Sequence, residues 1–164
     1  MTQPRWITAH FAMAPIRINC GGWAAAPDWV ADTGFSGGTA YSTTQPISGM
    51  PAGVPLDVYQ TERCGAAVSY SLPNIPDGVY TVRLHFAELE DKQPGQRVFD
   101  MRLQGRLVAP SLDIVREAGG PRRLLTKTFQ VTPDQELVLE FLPQAGTPLL
   151  NGLELFRDPA AATQ

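Results

Sequence analysis

From Gly78 the chain reads Val79, Tyr80, Thr81, Val82, Arg83, Leu84, His85, Phe86, so that Tyr80, Val82, Leu84 and Phe86 fall on one face and Thr81, Arg83 and His85 on the other. Period-two alternation of this kind is the mark of a strand with one face in a core. The pattern returns in Phe99, Met101 and Leu103 against Asp100 and Arg102, and in Leu137, Leu139 and Phe141 against Glu136, Val138 and Glu140. Further strands are expected at Ile16 to Asn19, Val68 to Leu72, Leu124 to Val131 and Leu149 to Phe156. Turn-forming sequences separate them at Pro76-Asp77-Gly78, Gln104-Gly105, Gly119-Gly120-Pro121 and Thr132-Pro133-Asp134. Many short strands divided by regular turns specify an all-β sandwich or barrel, with the ten alternating apolar residues named in the first three strands lining one core. On its alternating strand His85 reads as a surface or sheet-face residue.

Gly21 to Pro55 has neither period. It carries Trp23, Trp29, Phe35 and Tyr41 among many Gly and Pro, which marks a long functional loop system. Trp23 and Trp29 suit either stacking platforms or anchors of that loop to the sandwich. The tail after Phe156 reads as a linker or a frayed end.

Composition narrows the picture. The 164 residues suffice for one sizeable core, and 15 Gly, 15 Pro and only 18% charged residues fit a loop-rich β protein with few helices. A formal net charge of -3 provides no footprint for a phosphate backbone, so nucleic acid is not an expected partner. The apolar runs are too short for membrane insertion, and the first residues show no secretory pattern. Cys20 and Cys64 could form one bridge, but they have no metal-ligand spacing, and neither a metal nor a cofactor is called for.

Polar candidates gather near expected strand ends: Tyr59, Glu62 and Arg63 in one cluster, Glu88, Glu90 and Asp91 in another, and Asn151 near the last strand. Arg–carboxylate pairs often only fix loop geometry. The acidic group Glu88, Glu90 and Asp91 has the oxygen chemistry for calcium, but it reads more simply as a solvated turn. Glu88 and Glu90 would lie about 7 Å apart along a continued strand, a spacing that glycoside hydrolysis uses and that a sheet surface also produces without catalytic purpose. No nucleophilic triad, metal motif or phosphate loop accompanies them.

Five segments in order, Ile16-Arg-Ile-Asn-Cys-Gly-Gly22, Val58-Tyr-Gln-Thr-Glu-Arg63, Tyr80 to Glu88, Arg97 to Gly105 and Pro148 to Leu155, resemble the malectin family and its bacterial relatives. Those relatives occur as carbohydrate-binding modules appended to glycosidases and surface proteins. The resemblance implies a two-sheet antiparallel β-sandwich, jelly-roll and galactose-binding-domain-like, over residues 15–157, with residues 1–14 as an N-terminal extension and 158–164 as a tail or linker. It implies a non-catalytic lectin-like module for neutral oligosaccharides such as glucosides, held by Tyr41, Tyr59, Glu62, Glu88, Glu90, Asp91 and Asn151. It also favours an extracytoplasmic or cell-surface place and allows for an attached catalytic domain in a longer protein. The alternative is a structural or protein–protein interaction module that has lost sugar binding.

The residue match is uneven. Tyr41 keeps a sugar-contacting position of the family's Tyr-x-x-x-x-Pro-Ile pattern, completed here by Pro46 and Ile47. Cys64, Glu90 and Asp91 stand where the animal lectin has aromatics, and the closing Asp has no counterpart among Gln144 to Thr147. A shallower, more polar cleft is expected, one whose carboxylates disfavour acidic sugars.

Overall fold

The computed structural model describes residues 13–159. The expected N-terminal extension up to residue 12, and the tail beyond residue 159, lie outside the described residues. Eleven strands form two sheets: β1 (Ile16–Asn19), β2 (Val30–Ala31), β3 (Phe35–Ser42), β4 (Thr61–Pro73), β5 (Tyr80–Phe86), β6 (Val98–Leu103), β7 (Arg106–Leu112), β8 (Leu125–Val131), β9 (Glu136–Ala145), β10 (Leu149–Leu150) and β11 (Gly152–Arg157). Two short helices, α1 (Leu56–Gln60) and α2 (Ile114–Ala118), interrupt them. One sheet runs β2-β1-β11-β5-β8, and the other runs β10-β4-β9-β6-β7 with β3 paired to β4. All pairings are antiparallel except that of β1 with β2.

Alternation decides which side chains the sheets enclose. Tyr80, Val82, Leu84 and Phe86 of β5 meet Phe99, Met101 and Leu103 of β6 and Leu137, Leu139 and Phe141 of β9 in a single buried cluster. An aromatic contact crosses the gap between the sheets, with the Phe86 and Phe99 ring centroids 6.2 Å apart, and within the second sheet Phe99 meets Phe141 edge-on at 5.7 Å. The Gln104-Gly105 turn closes the β6–β7 hairpin with both residues at positive φ, 51° and 73°, the geometry that suits the right-handed twist of paired strands.

The segment from Gly21 to Pro55 is not wholly irregular, because β3 lies within it and pairs along β4 from Phe35↔Tyr70 to Ser42↔Thr61. Every residue of β3 is exposed. A strand with no buried face carries no hydrophobic alternation, and β3 is specified by its backbone ladder to β4 and by Arg63, which donates to the Gly37 and Gly38 carbonyls at 3.3 and 3.2 Å. β7 was hidden for a related reason: it is an edge strand containing Pro110, with irregular register against β6. α2 does carry a local signal, since the Asp113 side chain accepts from the Arg116 N–H at its start and Gly119 ends it at a φ of 81°.

The rest of the long segment folds over the outer face of the first sheet. Trp29 and Val58 press on Gly152 so closely that a Cβ there would stand 2.6 Å from Val58 Cγ1 and 3.0 Å from the Trp29 ring. Trp29 is thus the anchor, 3% exposed, whereas Trp23 projects at 88% exposure. Cys20 and Cys64 are both free thiols, so the bridge that the sequence left open is not formed.

Phe86 is fully buried at the centre of the inter-sheet contact. Phe86→Ala is expected to lower stability by about 3 to 5 kcal/mol, measured by denaturant unfolding. An unchanged midpoint would contradict the packing described.

Candidate functional site

β5 ends at Phe86, and the chain then passes through Ala87, Glu88, Leu89, Glu90 and Asp91 before returning to β6. Beside this loop lie the end of β3, with Tyr41, and the segment before β8, with Arg122. Backbone bonds tie these loops together: the Ser48 N–H donates to the Arg122 carbonyl at 2.9 Å, the Leu124 N–H to Ser48 at 3.2 Å, and the Arg122 N–H to Glu88 at 2.8 Å. Beneath them a satellite core of Ile47, Tyr59, Ala87 and Leu89 excludes water. The loops enclose a cleft of about 390 Å³ lined by Tyr41, Thr43, Gln45, Leu89, Glu90, Asp91 and Arg122.

Three of the residues expected at a site therefore line one cleft: Tyr41, 44% exposed, with Glu90 and Asp91. Thr43, Gln45, Leu89 and Arg122 were not among the sequence candidates, and Arg122 is the charged one of them. It follows a glycine-rich turn and carries no pattern of its own, so only the meeting of two loops distant in sequence reveals it. Its guanidinium holds Asp91 at 2.6 Å.

The other four candidates are buried supports. Tyr59 places its ring in the satellite core and donates its hydroxyl hydrogen bond to His85 Nδ1. Burial pushes the Tyr59 hydroxyl well above its ordinary pKa. His85 is 1% exposed rather than a surface residue, because α1 and Trp29 cover its face of the sheet. Its Nε2 donates to Glu154 at 2.7 Å, in the tautomer that lets Nδ1 accept from Tyr59. Burial acts to raise the Glu154 carboxyl, but the hydrogen bonds from His85 and Arg17 outweigh it and hold the group below its usual value. Asn151, also fully buried, accepts from the Ala87 N–H at 2.7 Å and donates to the Thr61 carbonyl at 2.7 Å, tying the end of β5 to the start of β4.

Glu88 is not part of a solvated turn. It is 0% exposed, and its two oxygens accept from Arg97 Nε at 2.5 Å and Nη2 at 3.2 Å. Arg97 also donates to the carbonyl and hydroxyl of Thr147 and, at 2.8 Å, to Glu90. Glu88 and Glu90 are thus bound to one guanidinium, and Glu88 has no face open to a glycosidic oxygen. Lys92 reaches Glu90 at 3.1 Å, so the carboxylates Glu88, Glu90 and Asp91 are matched by Arg97, Lys92 and Arg122. Among the described residues no group of three or more His, Cys, Asp and Glu is arranged to hold a metal.

Arg63, adjacent to Glu62, faces the other way: it pairs with Asp32 at 2.6 Å and lies 3.4 Å over the Phe35 ring, fixing the loop system. Glu62 is 1% exposed, and its Oε2 has no hydrogen-bond partner among the described residues. Burial, opposed by Arg97 and reinforced by Glu88, pushes its carboxyl up from 4.5 to about 7.

The chain is thus an all-β sandwich with a loop cleft at one end of its sheets. Residues 15–152 match the malectin domain, and the chain belongs to that family, a carbohydrate-binding fold. The kinesin-like protein KIN-14E of Oryza sativa subsp. japonica is 30% identical over 132 residues, 74% of this chain and 12% of that protein. Malectin of Homo sapiens is 41% identical over 63 residues, 38% of this chain and 22% of that protein. The chain thus spans less than a quarter of either relative's length. Among solved structures, the ANX2 ectodomain of Arabidopsis thaliana superposes with a TM-score of 0.77 at 22% identity, over 88% of this chain and 50% of that one. A Bacteroides uniformis beta-glucuronidase gives 0.75 at 23% identity, over 89% of this chain and 18% of that one.

The raised Glu62 value sets a pH dependence. Between pH 4.5 and about 7 the folded chain keeps a proton that the unfolded chain has released, so this group makes stability fall as pH rises through that window. The full loss is about 3 kcal/mol. Glu62→Gln, fixed in the neutral shape, is expected to gain that amount relative to the native protein across the window, measured by urea unfolding at each pH. Parallel stability curves would show that Glu62 titrates normally.

Proposed function

We propose that the domain binds a neutral oligosaccharide of the glucoside class in the cleft between Tyr41 and Arg122, without chemical turnover. The observation that carries this reading is the pairing of one exposed aromatic ring with fixed donors and acceptors in a single cleft. A pyranose offers apolar C–H faces and a rim of hydroxyls, so it needs such a ring and such groups together. Tyr41 supplies the face. Glu90 and Asp91 accept from hydroxyls, Arg122 donates, and each is held in place by its ion pair.

The expected rejection of acidic sugars loses its basis in this geometry. Repulsion requires uncompensated carboxylates, and here each one has a cationic partner. Preference for neutral sugars then rests on hydroxyl recognition, and discrimination against uronates is expected to be slight. With only Tyr41 as a platform, affinity should be millimolar or slightly tighter, roughly 4 to 6 kcal/mol.

A protein-interaction module is the second reading, favoured by a different feature. At the opposite ends of β5 and β8 a groove of about 640 Å³ is lined by Val79, Leu107, Val108 and Val131 with Gln104 and Arg106 among them, and Val79 and Leu107 are 45% and 53% exposed. Titration with neutral and acidic oligosaccharides, followed by NMR, separates the two. Shifts at the Tyr41 end that vanish in Tyr41→Ala and weaken in the Glu90→Gln, Asp91→Asn pair support the sugar site. Shifts that persist in Tyr41→Ala place the site elsewhere, and no shift with any sugar favours the interaction reading.

A further inference from the structure

Glu62 lies directly behind the cleft. It pairs with Tyr41 across β3 and β4, and directly opposed residues of an antiparallel pair project to the same face. The groups around it are Glu88, Glu90 and Arg97 from the loop between β5 and β6, Tyr41 from β3 and Cys64 from its own strand. From β10, Leu149 stands opposite Cys64 on this side, and the backbone at Gly21 closes over the Glu62 carbonyl.

One guanidinium serves this cluster. Arg97 uses Nε and Nη2 on Glu88, Nη1 on Thr147 and Nη2 again on Glu90, so no nitrogen of it is left unengaged for Glu62. While Glu62 keeps its proton, two carboxylates share Arg97. Once Glu62 ionises, three do, inside a region where charge is poorly screened. Glu88 is sealed and held through both oxygens, whereas Glu90 is held through one oxygen by Arg97, is 49% exposed and has Lys92 at 3.1 Å as an alternative partner. The added charge is therefore relieved most cheaply by Glu90 leaving Arg97 for water and Lys92.

We propose that Glu62 is a positioning residue of the cleft, which acts through Arg97 to keep Glu90 in its sugar-facing place when protonated and to release it when ionised. The proposal rests on the reading of the cleft as the sugar site. It makes binding pH-dependent near neutrality: Glu62 titrates at about 7, and affinity falls as pH rises through that value.

The test uses maltotriose as the probe and follows two signals, sugar-induced amide shifts and the Arg97 Nε–H resonance, from about pH 5.5 to about pH 8.5. In the native protein the affinity is expected to fall about tenfold, the change given by a one-unit shift of the Glu62 pKa on binding. The Arg97 resonance should move with the same midpoint in the absence of sugar. In Glu62→Gln both responses should disappear, with affinity fixed at its low-pH value. A native Arg97 resonance that ignores pH, an affinity constant across the range, or a pH response that survives in Glu62→Gln would each overturn the proposal. If no sugar shift occurs at any pH while the Arg97 resonance still follows Glu62, the sugar reading fails, and the coupling of Glu62 to Arg97 is supported. The Arg97 measurement needs only the native protein, so it decides the coupling even if the variant folds poorly.

Discussion

The buried guanidinium of Arg97 holds the cleft end of this sandwich together. It sits among Glu88, Glu90 and Thr147, at 2% exposure, and links the loop that follows β5 to the turn between β9 and β10. A charge removed from water is stable only if its donors are satisfied, and here every nitrogen of the group is engaged. Truncating Arg97 would leave Glu88 buried and unpaired, and truncating Glu88 would leave Arg97 with only the half-exposed Glu90, so the position of the cleft loops depends on both being present. Although burial opposes a charged guanidinium, the hydrogen bonds and charges of Glu88, Glu62 and Glu90 hold Arg97 firmly protonated.

A second polar network does the same for the opposite face of the first sheet. Tyr59, His85 and Glu154 form a hydrogen-bonded chain, with Arg17 at 2.9 Å and Arg83 at 3.5 Å completing the surroundings of the carboxylate. In composition it resembles a catalytic relay, yet Trp29 and α1 seal it from solvent. Its role follows from its position: it fastens the long segment between β1 and β4 to the sheet. That attachment brings the end of β3, and Tyr41 with it, to the cleft.

These two networks explain why polar residues near strand ends divide between the cleft and the structure beneath it. Tyr41, Glu90 and Asp91 face the cleft, while Tyr59, Glu62, Glu88 and Asn151 belong to the structure beneath it. The acidic run from Glu88 to Asp91 shows the difficulty most clearly. Leu89, Glu90 and Asp91 line the cleft, but Glu88 turns inward to Arg97, nine residues along the chain. Residue type cannot distinguish these orientations, because a carboxylate that binds a ligand and one that binds an internal arginine use the same atoms.

The strands that enclose the core were legible in the chain's pattern, because a strand buried on one face must alternate, and so was the family, through ordered segments from Ile16 to Leu155. Tyr41 was singled out through its spacing to Pro46 and Ile47. The sequence could not show β3, whose residues are all exposed and which is held by its backbone bonds to β4 and by the Arg63 side chain. Nor could it assign Arg122 to the cleft or bury His85, since the first depends on two distant loops meeting and the second on Trp29 and α1 folding over an outward-facing strand position. Burial of a polar residue depends on what packs over it, and that covering layer is made by contacts far apart in sequence, which no local pattern encodes.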